Sequence, residues 1–283
     1  SALNWFVTDG KLSLKFDGAP AIVWGRNPAT GNFFVGTKSV FNKVKIKINE
    51  SHEDIDANHE GPVAEILHLC YDYLPRSPWI LQGDFIGVGG SEEYQPNTIT
   101  YVFPSVIRET IIVAPHTYYD AEDDLRNAVG RPLDFSLTDT HHCKFIKPQA
   151  WIAYGADAFE DVREVALFAR QMSTTCEFVD NKKAQQMKKV FNTFIKVGAD
   201  LDEEALTIVC DCDRNLIRLW KLVKAIKDDC LMVCRNNGPT AYVGYDRIDA
   251  EGYVYANKFG TFKIVKREAF SRANFNSGRF QTS

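Results

Sequence analysis

The sequence lacks any hydrophobic run long enough to cross a membrane. Although 45% of its 283 residues are hydrophobic, no apolar stretch approaches the roughly 20 residues that a transmembrane helix needs. The first residues also lack the basic and apolar segments of a secretion signal, so no membrane partner is expected. The formal net charge is only -4. The field of the whole molecule therefore does not attract nucleic acid, and any site for a polyanion must be local.

Cysteine is odd in number, with seven in the chain. An odd count argues against the disulfide framework of a secreted protein and favours a reducing compartment, so we predict a cytoplasmic protein. Cys210 and Cys212 lie in a helical pattern, where residues two apart point in different directions. Cys230 and Cys234 fall in the same kind of pattern, so zinc binding is not predicted.

Short β-rich runs dominate the first 150 residues, which contain no internal repeat and no P-loop, G-x-S-x-G or Rossmann signature. The runs are LSLKF, AIVW, FFVGT and KVKIKI between residues 12 and 48, followed by segments at 79–86, 99–103 and 109–114. A helix is predicted over residues 58–74, where apolar side chains recur at helical spacing. These are Val63, Ile66, Leu67, Cys70 and Leu74.

The pattern changes to helical after about residue 151. Segments 158–170, 182–196 and 202–233 have helical spacing, and Asn236-Asn237-Gly238-Pro239 ends the last of them. Strand patterns then return at 241–248, 251–258 and 261–266. We therefore predict an α+β fold with an antiparallel-sheet core formed by residues 1–150 and 236–283, interrupted by a helical insertion at 151–235.

Five short segments combine residues that are suited to phosphate chemistry. The first is LKFDGAP at 14–20, which contains Lys15, Asp17 and Gly18. The others are GTKS at 36–39, LQGDFIG at 81–87, DAEGYV at 249–254 and FKIVK at 262–266. Each has an ordinary structural interpretation by itself: a solvated lysine, a turn between strands, or a charged sheet edge. All five in this order are much rarer by chance.

This ordered set resembles the motifs of the covalent nucleotidyltransferase superfamily, which includes ATP-dependent RNA and DNA ligases and mRNA capping enzymes. The RNA-ligase branch is the most similar. The resemblance implies an ATP-grasp-like ligase adenylation core around an ATP pocket, and it leaves the helical insertion outside. Seventeen residues follow Lys266, so no C-terminal OB fold is expected.

The resemblance implies a covalent lysyl-AMP intermediate on Lys15. Asp17 and Gly18 belong to the same motif, Lys38 would contact a nucleotide or substrate phosphate, and Asp84 would contact the ribose or support a metal ion. Phe103 is a candidate for stacking on the nucleobase, as is Tyr101.

The segments at 249–254 and 262–266 contain the other charged residues that the resemblance assigns to the pocket. The resemblance makes Glu251 a ligand for Mg²⁺ or Mn²⁺, and it places Lys263 and Lys266 on a lysine-bearing strand in the pocket. Elementary chemistry agrees, because an amine must lose its proton before it attacks the α-phosphate of ATP. A second lysine favours that loss by repulsion and holds phosphate oxygens, while carboxylates suit Mg²⁺.

We therefore predict an ATP-dependent polynucleotide ligase that transfers AMP from Lys15 to a 5′-phosphate end, with RNA favoured over DNA as the nucleic-acid partner. Compact ligases of this kind are familiar in viruses, which suggests a phage protein acting in the cytoplasm of a host cell.

Two departures from the family pattern keep other functions open. Ala19-Pro20 stands where an Arg is common, and Lys263 and Lys266 are three residues apart instead of two. A catalytically inactive scaffold that binds nucleotide or nucleic acid would tolerate both changes. An adenylyltransferase that acts on a protein or small molecule, and an interaction protein built around the helical insertion, are further alternatives.

Two lysine-rich segments are candidates for contact with a phosphate backbone. One is the predicted strand KVKIKI, where alternation sends the lysines to one side and the apolar residues to the other. The other is the helical segment with lysines at 182, 183, 188, 189 and 196. Both patterns also fit a solvated face.

Overall fold

A computed structural model describes residues 10–153 and 160–265. Its strands are β1 (Lys11–Lys15), β2 (Ala21–Arg26), β3 (Phe33–Gly36), β4 (Ile80–Val88), β5 (Glu93–Tyr94), β6 (Thr100–Val102), β7 (Ile111–Asp120), β8 (Val129–Pro132), β9 (Cys143–Phe145), β10 (Ala150–Ile152), β11 (Cys234–Asn236), β12 (Thr240–Val243), β13 (Asp246–Ile248), β14 (Gly252–Asn257) and β15 (Gly260–Val265). Its α-helices are α1 (His52–Asn58), α2 (Gly61–Tyr73), α3 (Glu160–Ser173), α4 (Asn181–Lys196), α5 (Glu203–Cys210) and α6 (Arg214–Val233).

The chain forms two compact units. The sheet unit consists of Phe16–Pro148 and Gly238–Tyr242. The helical unit consists of Ser1–Lys15, Gln149–Asn237 and Val243–Ser283. The four helices α3 to α6 therefore share a unit with β1 and with the C-terminal strands β14 and β15.

The sheet unit is built on a mainly antiparallel sheet with the strand order β3-β2-β4-β7-β8, in which β9 pairs with β7 in parallel. Helix α2 packs on this sheet, because its buried Leu67 and Cys70 belong to the same apolar cluster as Trp24 and Leu81. The helix predicted over 58–74 is confirmed, and Leu67 and Cys70 of its predicted apolar face are buried. It begins three residues later than predicted, at Gly61, after the separate short helix α1.

A second cluster covers the other face of β2. Val23 is fully buried there with Phe34 and Ile80. Since Ile22 and Trp24 join the α2 cluster and Val23 joins this one, β2 is buried on both faces. Residues of β6 also pair with β5 and β12, which forms a smaller antiparallel sheet in the same unit.

The predicted strand KVKIKI is wrong. Residues 43–45 form bends and residues 46–48 have no regular secondary structure. Lys45 adopts a φ of 55° and the Val44 side chain is 78% exposed. The alternation of lysine and apolar residues therefore does not create two faces here, because a left-handed residue in the middle interrupts the extended backbone that alternation requires.

The helical unit contains a three-stranded antiparallel sheet with the order β1-β14-β15. One face of this sheet packs against α3 and α6, where Tyr253, Phe262 and Ile264 join Ala166 and Ile226 in one buried cluster. Burial raises the pKa of the Tyr253 hydroxyl, to which the Asn236 side chain donates a hydrogen bond of 2.9 Å. Helices α4, α5 and α6 share a further apolar cluster.

The segment predicted as one helix over 202–233 is two helices. Asp211 ends α5 with a φ of 47°, and Asp213 then caps α6 through its side chain. Aspartate tolerates the left-handed conformation and is a favoured N-cap, so both residues suit the break.

The described residues thus confirm an α+β fold with antiparallel sheets. None of the helices within 10–153 and 160–265 is long and apolar enough to span a bilayer.

Candidate active site

Lys15 is the last residue of β1, and the alternation of that strand decides where it points. Leu12 and Leu14 pack into the cluster under α3 and α6. Lys11, Ser13 and Lys15 therefore lie on the opposite face of the three-stranded sheet. The apolar residues of β1 thus fix the orientation of the predicted nucleophile.

Glu251 forms an ion pair with Lys15. Lys15 lies opposite Gly252 in the β1–β14 register, so Glu251 immediately precedes the partner position. The Lys15 Nζ donates to Glu251 Oε1, with side chains that are 27% and 12% exposed respectively. Two predicted site residues from opposite ends of the sequence therefore meet in the helical unit.

Gly252 makes this meeting possible. Its φ is +153°, and a Cβ at this position would lie 2.4 Å from the Ile264 carbonyl oxygen. A side chain would therefore push β15 away from β14. The glycine of the Glu251-Gly252 pair is required by close backbone packing, whatever the glutamate does.

Lys263 lies on the same face of the sheet as Lys15. It is opposite Val254 on β14, and Val254 is opposite Ser13 on β1. Two strand spacings and two residues place the Lys15 and Lys263 Cα atoms about 12 Å apart, near enough for two long side chains to reach one polyphosphate. Lys263 is exposed. Lys266 lies outside the described residues.

Asp17 belongs to the sheet unit, where it holds a loop. One carboxylate oxygen accepts a hydrogen bond of 2.9 Å from the Asn97 side chain, and the other accepts from the backbone N–H groups of Thr98 at 2.7 Å and Ile99 at 3.0 Å. The Asp17 N–H in turn donates to the Tyr101 hydroxyl at 2.5 Å. Asp17 and Tyr101 thus shape the segment that follows Lys15.

Gly18 and Asp84, which belong to two different predicted motifs, lie next to each other. A Cβ on Gly18 would lie 2.4 Å from the Asp84 Cβ, so only glycine fits beside β4 at this point. The Asp84 carboxylate lies 3.8 Å from Nε2 of His116, a partly exposed side chain on β7. His116 was not among the predicted site residues; the antiparallel pairing of β4 with β7 brings it near Asp84.

Lys38 and Phe103 also belong to the sheet unit. Lys38 is the exposed first residue of a short 3-10 helix, Lys38–Phe41, which Thr37 caps. Phe103 packs edge-on against Tyr94, with ring centroids 6.0 Å apart. The roles predicted for these two residues stay predictions.

The lysine-rich segment of the predicted helical insertion is helix α4. Its apolar side, which includes Met187 and Phe191, is buried against α5 and α6. Lys183 donates to the Asp211 carbonyl oxygen, while Lys188 lines a groove of about 440 Å³ together with Phe191 and Trp220. The lysines of α4 therefore have different surroundings and do not form one uniform basic face.

Few candidate metal ligands lie together in the part of the chain that the structure describes. Within the described ranges, no group of three or more His, Cys, Asp or Glu side chains is arranged around a common point. Mg²⁺ is commonly held by one or two carboxylates together with substrate phosphates, so the Glu251 carboxylate alone is compatible with a nucleotide-borne ion.

The described residues define an α+β protein with a largely buried lysine–glutamate pair on one face of an antiparallel sheet. The chain belongs to a family of unknown function, DUF6267, which matches residues 3–210 and 211–279. No curated protein and no solved structure shows significant similarity to it.

Proposed function

We propose that the protein is an ATP-dependent polynucleotide ligase of the nucleotidyltransferase type, with Lys15 as its nucleophile. The observation that carries the proposal is the Lys15–Glu251 ion pair on the sheet face that also bears Lys263. The proposal includes the finer fold assignment, an adenylation core with a helical insertion.

In the first step Lys15 Nζ attacks the α-phosphorus of ATP. A nitrogen–phosphorus bond forms, the bond to the bridging oxygen breaks, and pyrophosphate leaves. Before this attack the Lys15 ammonium passes one proton to the Glu251 carboxylate that contacts it, and the nitrogen gives up a second proton to the departing pyrophosphate as the new bond forms. Lys263 supplies positive charge for the phosphate oxygens. Mg²⁺ or Mn²⁺, when bound with the nucleotide near Glu251, supplies further charge for the leaving group.

In the second step the AMP moves from Lys15 to the 5′-phosphate of a polynucleotide, and a strand hydroxyl then displaces it. RNA is the favoured acceptor. This half of the proposal rests on the sequence resemblance, and the same first step would serve an adenylyltransferase with a protein or small-molecule acceptor.

The test is transfer of label from α-phosphate-labelled ATP to the protein, followed by denaturing electrophoresis. Lys15→Arg keeps a cation for Glu251 but removes the amine nucleophile. Lys11→Arg is the matched control, because Lys11 lies on the same strand and the same face. We expect label on the wild type and on Lys11→Arg, released by pyrophosphate, and none on Lys15→Arg.

Two results would overturn the proposal. One is label that persists in Lys15→Arg. The other is the absence of label on the wild type with ATP or GTP and either metal, which would favour the inactive scaffold if ATP still binds. Incubating the labelled protein with 5′-phosphorylated RNA or DNA then separates a ligase, which yields an adenylylated strand end, from an adenylyltransferase with another acceptor.

A further inference from the structure

A groove of about 440 Å³ lies between α4 and α6 in the helical unit. The lining residues of α4 recur three or four positions apart, so they share one face of that helix. They are Ala184, Met187, Lys188, Phe191 and Ile195. With a rise of about 1.5 Å per residue, the groove follows α4 for about 16 Å, or three turns. It is therefore long enough for an extended hydrocarbon chain.

Packed aromatic rings form the base of the groove. Phe191 of α4 and Trp220 of α6 meet with ring centroids 4.2 Å apart. Met187 joins them in one apolar cluster, and Ile195 is buried as well. Phe178, which precedes α4, also lines the groove and is 67% exposed. The groove is thus already formed by packed side chains and offers apolar surface that a dissolved apolar group would cover favourably.

The charged side chains that line the groove are mostly positive. Lys188 of α4 lines it together with Lys224, Lys227 and Asp228 of α6. Lys224 forms an ion pair of 2.9 Å with Asp228, and the Lys227 ammonium lies 4.5 Å from the centre of the Phe262 ring. Lys188 is exposed. Three lysines and one aspartate leave an excess of positive charge, which favours an anion in or beside the groove.

The chain that continues from Val265, itself a lining residue, has the same sign of charge as the groove. Residues 266–283 contain four basic side chains and one acidic side chain, namely Lys266, Arg267, Arg272, Arg279 and Glu268. Repulsion between like charges therefore disfavours this segment as the occupant, whereas an anion is attracted.

We propose that this groove binds a small amphiphilic anion, a fatty-acid carboxylate, with its alkyl chain against Phe191 and Trp220 and its carboxylate beside Lys188. The volume of the groove lies within the range of about 300–1,000 Å³ that is typical of small-molecule sites, which are mostly apolar and often lie between helices. A sugar or a nucleobase fits less well, because its polar groups would leave water for a largely apolar wall. The site uses none of the residues assigned to ATP, so its function is separate from the proposed ligase activity.

Calorimetric titration of the full chain with decanoate tests the proposal, and decyltrimethylammonium, which has a similar alkyl chain and a positive head group, is the comparison. We expect one saturable equivalent of decanoate and binding of the cationic amphiphile that is weaker by about tenfold or more, since the lysines attract one head group and repel the other. Lys188→Glu should weaken decanoate binding by about fivefold or more, because an attraction becomes a repulsion. Ala184→Trp should abolish saturable binding, because the indole fills the groove from the α4 wall.

Two matched controls change the same helix outside the groove lining. Lys189→Glu makes the same charge change at the next residue of α4, and Gln185→Trp adds the same ring at the exposed position next to Ala184. Both should bind decanoate like the wild type. Bromine-labelled decanoate should also quench the tryptophan fluorescence of the wild type, and Trp220→Phe should remove that quenching. Absence of saturable decanoate binding, equal affinity for the two amphiphiles, equal losses in Lys188→Glu and Lys189→Glu, or binding that survives Ala184→Trp in folded protein would each overturn the proposal.

Discussion

The Lys15 ammonium pairs with the Glu251 carboxylate although 236 positions separate them in the sequence. The pairing follows from the β1–β14 register, which sets Lys15 opposite Gly252. It brings an amine and a carboxylate together on the sheet face opposite the one on which Leu12 and Leu14 of β1 pack. The strand register therefore brings these two segments together, and the pair is a candidate for chemistry.

The first prediction concerns the strength of this pair. Because both side chains are mostly buried, the coupling free energy should lie between the values for exposed and buried pairs, at about 1–2 kcal/mol. A double-mutant cycle with Lys15→Met and Glu251→Gln, followed by urea unfolding, measures it.

The control pair is Lys224 and Asp228, which are 2.9 Å apart at positions i and i+4 of α6 in the same unit, with side chains that are 25% and 41% exposed. A pair at this helical spacing is worth about 0.3–0.5 kcal/mol. A coupling free energy for Lys15 and Glu251 that is no larger than that of this control would mean that the ion pair adds no more stability than an ordinary helix pair. The observation on which the proposed site rests would then lose its weight.

The second prediction concerns Gly252. Substitution by alanine should destabilise the protein by about 2–4 kcal/mol, because backbone strain costs about 1–3 kcal/mol and the new Cβ would also meet the Ile264 carbonyl at 2.4 Å. Gly244→Ala in the same unit should cost clearly less, since Gly244 has a φ of +60° and no atom within 4 Å of the added Cβ. Thermal or chemical denaturation of the two variants compares them, and equal losses would show that close packing at Gly252 is unimportant.

Sequence periodicity predicted most of the helices and strands of this fold. Helical periodicity located α2, α3, α4 and α6 because each buries a continuous apolar stripe. Alternation predicted most strands but failed at Val44, where a left-handed Lys45 breaks the pattern. Periodicity describes only which face is apolar, so it carries no information on strand partners.

The candidate site was predicted only in part from the sequence. Motif order placed Lys15, Glu251 and Lys263 in one group, and the strand register does set them on one sheet face. The contacts of His52 with Asp72 and of His68 with Asp56 were not predicted, because they cross between α1 and α2 and depend on how those helices pack. Such contacts arise from tertiary structure, which neither spacing nor composition encodes directly.

The third prediction concerns thiol reactivity. All seven cysteines are free. Burial raises the pKa of Cys143 and Cys230 to about 12 in each case, and it also raises that of the fully buried Cys70. The thiolate is the reactive form, so these three should resist alkylation in the folded protein.

Cys176 and Cys212 are the internal comparison, because both are only partly buried. Mass spectrometry after brief treatment with iodoacetamide at pH about 8 should find label on these two first and on Cys70, Cys143 and Cys230 only after unfolding. Early label on any of the three buried thiols would mean that the region around it opens readily.

The last prediction is a dependence of stability on pH through His59. The fully buried Asn49 side chain donates one amide hydrogen to the Val35 carbonyl oxygen at 2.9 Å and faces His59 Nε2 at 3.2 Å with the same nitrogen. An amide nitrogen only donates, so Nε2 must accept and stay unprotonated. Burial, and then the charge of Lys47, lower the pKa of His59 from its ordinary value of 6.5.

The sign follows from proton counts. Between the lowered native pKa and 6.5, the unfolded chain binds more protons at this residue than the folded chain does, so stability rises with pH in that window. The contribution of neutral His59 is fully present above about pH 6.5 and is lost as the pH falls towards the native pKa. His59→Gln keeps an acceptor for Asn49 but cannot titrate. Its urea midpoint should therefore fall less than that of the wild type between about pH 7 and pH 5, whereas the exposed control His141→Gln should follow the wild type. Parallel pH profiles for His59→Gln and wild type would show that the folded protein accommodates a charged His59 without cost.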